Sequence, residues 1–574
     1  MKNQRPFIIL VYLFLPLFGM IDSYAQTPFR SPLDIPLKLA ATFGEIRPNH
    51  FHAGLDVETE QKEGLKVYSV ADGYVSRIKV SATGYGNALY ITHANGYTTV
   101  YGHLKRYSDK IQAYVKQKHY EKESFEIDLQ LSAEIFPVKK GDVVAYSGNT
   151  GGSEGPHLHF EVRDSKTEEP INPLQFGFEI SDSHAPVFNA IKIYSLNHSG
   201  VIEKAKVDVR LGIVKKDNFH YELLNNETIN GCGSIGVSVN GYDLENGNEE
   251  HFTIYSLELT VDGKSLFTVE KNRFNFADTK FVNAHVDYEQ RLKTNENFLK
   301  CFKMPNDKLP MYKGTTDGQI RIEDTLLHYV KIIAKDAAGN ASELNFKIKG
   351  SIPSMSNIGL DKTEHCTKTI PYQGIGNYEN SEVKISLPAG ILYDTLCFQY
   401  SSSKSIWKTY AAIHHVHNRF TPIHSSFNLA IKCTSLPSNL QSKALLVSLD
   451  NQGNPTAVTS SFKDGWVSGN PSRFGDYSVM VDTVPPVISA INIINNKSMT
   501  KSADIKIKIT DNLSGIKSYR ATINGHWVLF VNDSKTQVYT YTFDEHTLAG
   551  KNNLELTVID NKENKSVYKA SFTR

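Results

Sequence analysis

The sequence is poor in cysteine and tryptophan. Five cysteines and three tryptophans occur among 574 residues. The cysteines are widely spaced and form no Cys-x-x-Cys pair, so they indicate neither a disulfide-rich scaffold nor a thiolate metal site. One or two disulfides are an alternative if the protein is located in an oxidising compartment. Most cysteines with such spacing are small buried apolar residues, which is the interpretation that we favour.

The sequence also lacks an excess of charge of either sign. The 62 lysines and arginines almost equal the 61 aspartates and glutamates, which gives a net charge of +1. No block of basic residues interrupts this balance. Proteins that bind nucleic acid through a basic surface need such clusters, so we expect no nucleic-acid partner.

Long apolar runs are missing except near residue 1. Lys2 and Arg5 precede the 14-residue run Phe7–Met20, and a small-x-small motif ends at Ala25. This order predicts a secretory signal peptide over residues 1–25. An uncleaved anchor is disfavoured because a membrane span needs ~20 apolar residues. We expect an exported protein, periplasmic, extracellular or at the cell surface, with no integral membrane segment in the mature chain.

Short β-like runs separated by glycine turns dominate residues 32–178. LKVYSVADGYVSRIKV and NALYITHANGYTTVYGHL are two of them. Repeated hairpin signals with little helical periodicity predict an antiparallel β domain. Residues 108–129 are charged and contain no glycine, so we interpret them as a surface insertion, with a helix as one option, that could narrow a groove.

The remainder of the chain contains a weak internal repeat. DSHAPVFNAIKIYSL and DTVPPVISAINIINN begin two segments, which end alike in AKDAAGNASELNFKI and VIDNKENKSVYKASF. The pattern predicts Ig-like β-sandwich modules over residues 182–350 and 482–574, with another β-rich module over residues 351–480. The aspartates of these turns are more typical of Asx turns than of calcium sites. They are Asp336, Asp511 and Asp560.

The stretch SEGPHLHFEVRD places two histidines in a run that alternates like a β-strand. Residues i and i+2 of a strand point to the same face, so His157, His159 and Glu161 share one face. The two histidines can reach one cleft, although the pair alone is also typical of an exposed strand. The two interpretations are distinguished by whether the rest of the domain contains further candidate metal ligands or catalytic residues.

Two further stretches supply partners. NHFHAGLDV contains His50, His52 and Asp56, and TVYGHLKRY contains His103. A histidine and a carboxylate separated by a tight turn can bind one ion, and zinc accepts both donor types. His93, in ITHANG, falls at a predicted hairpin turn and is expected to be solvent-exposed.

Together, FHAGLDV, GYGNALYITHANGYTTVYGHL and SGNTGGSEGPHLHFEV resemble the lysostaphin-type zinc endopeptidases, which cut peptidoglycan cross-bridges. The resemblance covers about residues 43–174, roughly a quarter of the chain. It implies one Zn²⁺ and a set of metal ligands and non-ligand active-site histidines. The implied ligands are His52, Asp56 and His159, and the implied catalytic histidines are His103 and His157.

Three protein ligands leave a coordination position open, as in catalytic zinc sites. We assign proton transfer and oxyanion binding to His103 and His157 together, without dividing the roles. The sequence contains no His-Glu-x-x-His motif, which favours histidine over glutamate as the base. His50 is expected at the rim of the site. Glu161 either orients an imidazole or is an ordinary exposed strand residue.

Tyr85 and Asn87, in the stretch GYGN, match a pattern that the family has near its cleft. The resemblance makes both residues candidates for substrate binding. Ordinary turn chemistry is the alternative interpretation of the same two residues.

We therefore expect an exported zinc metalloendopeptidase that hydrolyses stem peptides or cross-links of peptidoglycan in cell-wall remodelling. The expected fold is mostly β, with an antiparallel peptidase domain followed by β-sandwich modules that could bind a protein partner. One alternative is a non-catalytic wall-binding or regulatory protein that keeps the fold. Another is a surface adhesin or scaffold with an accessory peptidase domain.

Overall fold

The computed structural model describes residues 29–178, 180–196, 200–203, 208–314, 316–351, 365–405 and 408–574. The predicted signal peptide lies outside these ranges. Within them the chain is mostly β, which confirms the expected fold class. None of the helices in these ranges combines the length and apolarity that crossing a membrane requires.

The N-terminal domain consists of fourteen strands and one long helix. They are β1 (Leu39–Ala41), β2 (Ile46–Arg47), β3 (His50–Phe51), β4 (Leu55–Glu58), β5 (Lys66–Tyr68), β6 (Gly73–Val80), β7 (Asn87–His93), β8 (Tyr97–Gly102), β9 (Arg106–Tyr107), α1 (Asp109–Lys122), β10 (Ile127–Gln130), β11 (Pro137–Val138), β12 (Val143–Tyr146), β13 (His157–Asp164) and β14 (Pro170–Ile171).

Most of these strands form one nine-stranded antiparallel sheet. Its order is β1-β4-β13-β8-β7-β6-β10, with β14 beside β13 and β11 beside β6. A smaller sheet, β5-β12-β9, contributes to the same apolar core. β13 lies between β4 and β8, and its side chains are buried on both faces. Neighbouring strands therefore hold the backbone of β13 at both edges, and its side chains are packed on both faces of the sheet.

The charged segment 108–129 forms part of this domain. It contains α1, whose side chains Ile111 and Val115 are buried in the domain core. Glu123 ends the helix in the left-handed conformation. The chain then enters β10, which pairs antiparallel with β6.

The module that follows contains twelve strands and two short helices. They are β15 (Val187–Ser195), β16 (Val201–Ile202), β17 (Val209–Lys215), β18 (His220–Leu223), β19 (Thr228–Tyr242), β20 (Ser256–Val261), β21 (Lys264–Glu270), α2 (Val282–His285), α3 (Tyr288–Thr294), β22 (Phe298–Lys300), β23 (Tyr312–Lys313), β24 (Ile320–Ile322), β25 (Leu327–Lys335) and β26 (Ala341–Gly350).

This module and the N-terminal domain share a hydrophobic core. Strand pairing runs β16-β19-β15-β17-β18-β26-β25-β20-β21-β23, and β19 also pairs with β26. Phe43 and Phe51 of the N-terminal domain join the core of the module. Their ring centroids lie 5.1 and 5.7 Å from that of Phe274. The segment around His52 is thus fixed by both parts of the chain.

Two further modules complete the described chain. The first has β27 (Lys368–Ile370), β28 (Gly376–Glu379), β29 (Val383–Leu387), β30 (Leu396–Phe398), β31 (Tyr400–Ser403), β32 (Ile413–Val416), β33 (Asn428–Lys432), β34 (Ala444–Leu449), β35 (Pro455–Val458), β36 (Ser460–Lys463), β37 (Trp466–Gly469) and β38 (Gly475–Val481). The last has β39 (Val487–Ala490), β40 (Lys497–Ser498), β41 (Asp504–Thr510), β42 (Ile516–Ile523), β43 (His526–Trp527), β44 (Val531–Asp533), β45 (Val538–Thr542), β46 (Lys551–Asp560) and β47 (Lys565–Thr573).

Each of these two modules places an apolar core between two sheets. The sheets are β28-β29-β33-β37-β36 and β31-β32-β38-β34-β35 in one module, and β39-β41-β45-β44 and β40-β47-β46-β42-β43 in the other. Cys366 and Cys397 form a disulfide. The other three cysteines are free and buried, as expected of small apolar residues.

Candidate active site

Neighbouring strands of the nine-stranded sheet carry the predicted ligands. β13 presents His159, and β4 presents Asp56 directly opposite it. His52 precedes β4 by a short turn. A Cβ at Gly54, within this turn, would lie 2.3 Å from the Phe160 carbonyl oxygen. Glycine therefore allows the chain to pass close to β13 between the two ligand positions.

The donor atoms of these three side chains converge. Asp56 Oδ1 lies 3.1 Å from His52 Nε2 and 2.9 Å from His159 Nδ1. The two ring nitrogens are 3.1 Å apart. The side chains of His52, Asp56 and His159 are only 9%, 14% and 4% exposed, so little water competes for the donor atoms.

In both His52 and His159, the ring nitrogen that points away from the centre makes a hydrogen bond. This bond orients the ring so that its other, inner nitrogen faces the centre. His52 Nδ1 donates to the Thr42 carbonyl oxygen at 2.8 Å, and His159 Nε2 donates to Glu161 Oε1 at 2.8 Å. In the neutral rings, the inner nitrogens therefore carry lone pairs. Two lone pairs and a carboxylate oxygen this close repel one another unless a cation lies between them. The three side chains therefore fit a metal ion.

A buried ion pair behind His159 orients its ring. Glu161 is fully buried and accepts a second hydrogen bond, from Arg163 Nε, at 2.6 Å. Burial alone would raise the pKa of Glu161, but the guanidinium and the imidazole lower it to about 2. Burial alone would likewise lower the pKa of His159, but with no ion present Asp56 and Glu161 raise it to about 9, and the neutral ring is the form that binds a metal. Glu161 is thus an orienting partner and not an exposed strand residue.

His103 and His157 lie beside this centre, with ring centroids 4.7 Å apart. His103 Nδ1 donates to the Thr150 carbonyl oxygen at 2.8 Å, and His157 Nδ1 donates to that of Gly155 at 2.9 Å. Nε2 of each neutral ring is therefore unprotonated. His157 Nε2 is buried without a hydrogen-bond partner, 3.4 Å from Asp56 Oδ1. Burial, followed by the neighbouring rings, lowers the pKa of His103 to about 3.

Tyr85 and Asn87 occupy different positions relative to the centre. The Tyr85 ring stacks on His159 with centroids 4.9 Å apart. Its carbonyl oxygen accepts the His103 backbone N–H at 2.8 Å. Asn87 Nδ2 donates to the Leu104 carbonyl oxygen at 3.0 Å. Tyr85 thus borders the centre and Asn87 braces the loop after β8, while substrate contact by either residue stays a prediction.

Two other histidines lie apart from the centre. His50 is exposed, as expected of a rim residue, and its Nδ1 lies 2.9 Å from the Pro48 carbonyl oxygen. The expectation that His93 is solvent-exposed is wrong. His93 is buried, and its ring contacts the Asp72 carbonyl oxygen and the Thr99 hydroxyl at 2.9 and 2.8 Å. It is still the last residue of β7, and the turn begins only after it.

Sequence reasoning named Glu161 as a possible orienting partner but missed the other residues that hold the predicted side chains. Arg163 could have been found, because it continues the alternation that places His157, His159 and Glu161 on one face. Thr42 and Thr150 act through backbone carbonyl oxygens. Such contacts have no side-chain signal in a sequence.

The last module contacts the loop 149–155, which precedes β13. Lys535 Nζ donates to the carbonyl oxygen of Asn149 and, at 3.1 Å, to that of Ser153. The Ser153 hydroxyl lies 3.1 Å from His157 Nδ1. A lysine nearly 400 residues away along the chain thus braces a loop that touches a predicted catalytic ring.

Helix α1 provides a second contact with the last module. The Tyr120 hydroxyl donates to Asp544 Oδ2 at 2.6 Å, and its ring stacks on His546 with centroids 3.9 Å apart. Arg520 pairs with Glu123 at 2.6 Å. The segment predicted as an insertion is therefore a docking surface for this module.

A buried centre of two imidazoles and a carboxylate, flanked by two further histidines, has the donor set of a metal-dependent hydrolase. Residues 50–120 and 132–173 match the model of Peptidase family M23. The chain therefore contains a peptidase domain of this family, which confirms the resemblance seen in the sequence. Residues 367–482 match a Zu5-like domain, and residues 480–573 match a domain of unknown function.

Relatives of known name match about a quarter of the chain. The DD-carboxypeptidase/endopeptidase Mpg of Neisseria meningitidis serogroup B is 33% identical over 144 residues, 25% of this chain and 27% of that protein. An uncharacterized metalloprotease of Haemophilus influenzae is 35% identical over 157 residues, 27% of this chain and 26% of that protein. The chain thus spans about a quarter of the length of these relatives. The catalytic domain of lysostaphin from Staphylococcus simulans is 22% identical, with a TM-score of 0.19, and the match covers 24% of this chain and 91% of that one.

Proposed function

We propose that this chain is an exported, zinc-dependent endopeptidase that hydrolyses peptide bonds in stem peptides or cross-links of peptidoglycan. The observation that carries the proposal is the convergence of His52, Asp56 and His159, whose inner donor atoms lie within 3.1 Å of one another. Two imidazole nitrogens and one carboxylate oxygen suit Zn²⁺ with one coordination position left open. When bound, the ion supplies Lewis acidity toward the scissile carbonyl and the attacking water.

The chain's own residues prepare the site for proton transfer. His157 and His103 both direct Nδ1–H to backbone carbonyl oxygens, so Nε2 of each neutral ring can accept a proton. The histidine that takes a proton from the attacking water can return it to the leaving amine. While it carries that proton, the ring can donate a hydrogen bond to the oxyanion. The buried setting strengthens each of these interactions.

The substrate class is supported by relatives whose names describe peptidoglycan DD-endopeptidases. ShyC of Vibrio cholerae is 30% identical over 140 residues, 23% of this chain. Among the bonds of peptidoglycan, we propose that the D-alanyl cross-link is the one that this chain hydrolyses. Export is supported by the signal-peptide pattern before residue 26 and by the Cys366–Cys397 disulfide, since disulfides persist mainly in oxidising compartments.

A non-catalytic wall-binding protein and a surface scaffold are the rival functions. The presence of all three candidate metal donors, with both imidazole rings oriented by hydrogen bonds, counts against a non-catalytic wall-binding protein. Removing residues 182–574 would be a poor test of the second, because Phe43 and Phe51 pack into the core of the next module. Point substitutions in the intact chain therefore separate the roles of the domains more cleanly.

The proposal is tested by incubating the purified full chain with isolated peptidoglycan and analysing the released muropeptides by mass spectrometry. We expect loss of cross-linked species, inhibition by a zinc chelator and recovery on adding Zn²⁺. The mass of each product identifies the bond that is cleaved. Protein that contains no zinc after purification in zinc-supplemented buffer, and that releases nothing, would contradict the proposal.

Replacing Lys535 with alanine should lower kcat on peptidoglycan and leave the zinc content unchanged. Hydrogen bonds from a charged group contribute about 1.5–3 kcal/mol, and about 1.4 kcal/mol of lost transition-state stabilisation corresponds to tenfold in rate. We expect a decrease in kcat of about tenfold at most, because Lys535 acts on His157 only through loop 149–155. Steady-state kinetics and metal analysis measure the two quantities.

Lys569→Ala is the matched control for this substitution. Lys569 lies in the same module and makes an exposed ion pair with Glu555, at 3.0 Å. This variant should retain wild-type kcat, and Lys535→Arg should recover part of the lost rate. An increase in kcat of Lys535→Ala would instead show that the docked module restricts the cleft.

A further inference from the structure

Two aspartate triads occur at corresponding places in the first and last modules of the C-terminal portion. Asp182, Asp243 and Asp336 form one triad, and in each triad a carboxylate oxygen of every member lies within 4.8 Å of the others. The second triad consists of Asp482, Asp511 and Asp560. In both modules one member lies in the linker before the first strand, one directly follows a middle strand, and one lies at the end of the second-to-last strand or directly after it.

The last member of each triad is held in the same way. Asp336 Oδ1 accepts the Asn340 backbone N–H at 2.8 Å, and Oδ2 accepts its side-chain amide at 2.6 Å. Asp560 makes the same two contacts with Asn564, at 2.8 and 2.7 Å. Each asparagine amide also lies near the backbone carbonyl of the linker aspartate, at 3.4 and 3.0 Å. The two triads are therefore repeats of one structural unit.

One carboxylate oxygen in the first triad has no partner although it is buried. Asp243 is 7% exposed, and its Oδ1 makes no hydrogen bond. The corresponding oxygen of the second triad, Asp511 Oδ1, is also buried without a partner. A buried carboxylate oxygen without a partner is costly, and its repetition at equivalent positions indicates that each triad needs a positive charge beside it.

The first triad lies mainly among other carboxylates, and the basic side chain that attracts Asp182, His184, is exposed. Glu245, two residues after Asp243, is buried as well and adds a fourth carboxylate to this region. The buried amine of Lys271 donates to the Thr253 hydroxyl and faces Glu45, outside the triad. In the second triad, by contrast, the Lys562 ammonium lies close enough to attract Asp482 and Asp560. The first triad is therefore the one that needs an external cation.

A cavity of about 120 Å³ adjoins the first triad. Asp182, Asp243 and Glu245 line it on one side, and Thr42 and Phe43 of the N-terminal domain line it on the other. It is large enough for an ion with coordinated water. Thr42 is also the residue whose carbonyl oxygen accepts the hydrogen bond from His52 Nδ1.

We propose that Asp182, Asp243 and Asp336 bind a calcium ion at the junction between the N-terminal domain and the first module. The donors are all oxygens, which suit Ca²⁺ and not the nitrogen-preferring metal of the active site. The ion neutralises the triad and supplies the partner that Asp243 Oδ1 lacks. It ties the linker aspartate to the module and stabilises the junction with the N-terminal domain.

The test is titration of the intact, zinc-loaded chain with Ca²⁺, followed by calorimetry and by thermal unfolding. Wild-type protein should bind calcium and unfold at a higher temperature in its presence, because a ligand of the native state stabilises that state. Asp243→Asn keeps the side-chain shape but removes a charge. This variant should lower calcium affinity by about tenfold or more, since affinity follows ligand charge.

Asp243→Asn should also unfold at a higher temperature than wild type when calcium is withheld, because it relieves repulsion in the triad. A residue with a purely structural role would not produce this reversal. Asp182→Asn is the second variant, in case the first does not fold. Mg²⁺ is the competing ion, and it should bind more weakly because it loses its water reluctantly and demands near-ideal octahedral geometry.

Asp450→Asn is the matched control. Asp450 forms the same kind of turn, with Oδ1 accepting the Asn454 backbone N–H and Oδ2 its side-chain amide, both at 2.8 Å. It belongs to none of the aspartate triads among the described residues. Its substitution should leave calcium binding unchanged. Absence of calcium binding in wild-type protein, or unchanged affinity in Asp243→Asn, would overturn the proposal.

Discussion

His159→Ala is expected to yield folded protein that no longer retains zinc and no longer releases muropeptides. The substitution removes one of three donor atoms and also leaves Glu161 without the imidazole that it orients. Loss of a residue that only orients a ligand typically weakens metal binding about 10–100-fold. Removal of the ligand itself should exceed that range, so zinc content after dialysis should fall close to zero.

Metal analysis of dialysed protein, together with circular dichroism, separates metal loss from unfolding. His50→Ala is the matched control, because His50 is two residues from His52 but exposed, with its Nδ1 bonded to the Pro48 carbonyl oxygen. It should retain zinc and activity. A His159→Ala protein that holds one zinc per chain as firmly as wild type would refute the proposed ligand set.

His157→Ala is expected to give the opposite pattern, with zinc retained and turnover lost. His157 Nε2 is the buried, unpartnered nitrogen beside the metal donors, and Nδ1 is already engaged by the Gly155 carbonyl oxygen. A positioned acid or base typically contributes about 10²–10⁴-fold to the rate. We expect kcat on purified cross-linked muropeptides to fall by an amount in this range.

The comparison between the two variants is more informative than either alone. Single-turnover kinetics with zinc-saturated protein measures the chemical step in both, and zinc analysis reports occupancy. If His157→Ala lost its metal, the ring would belong to the ligand set. If it kept wild-type turnover, proton transfer would have to be assigned to His103 alone.

Strand alternation accounts for much of what could be predicted about the site. The period of two places His157, His159 and Glu161 on one face, and the structure brings the first two within 3.4 Å of the same Asp56 oxygen. The prediction for His93 rested instead on placing it in a hairpin turn, and it was wrong because β7 extends to that residue. Element boundaries depend on pairing with neighbouring strands, which a local pattern does not contain.

The segment 108–129 illustrates what a local pattern cannot supply. Its charge and lack of glycine predicted a surface insertion that could narrow a groove. In the structure, Ile111 and Val115 pack inward while Tyr120 stacks on His546 of the last module. Exposed polar faces of helices look alike in sequence, whether they face water or a distant part of the same chain.

By itself, the sequence predicted that the chain is mostly β and that the candidate donors of one metal centre lie in its N-terminal domain. These features follow from short-range periodicity and from motifs of a few residues, which the order of side chains contains directly. Only the tertiary structure decided which ring nitrogens face the centre, that Lys535 braces loop 149–155 and that three distant aspartates meet at a module junction. These depend on backbone carbonyls and on contacts between residues far apart in the chain, which exist only once the domains have packed together.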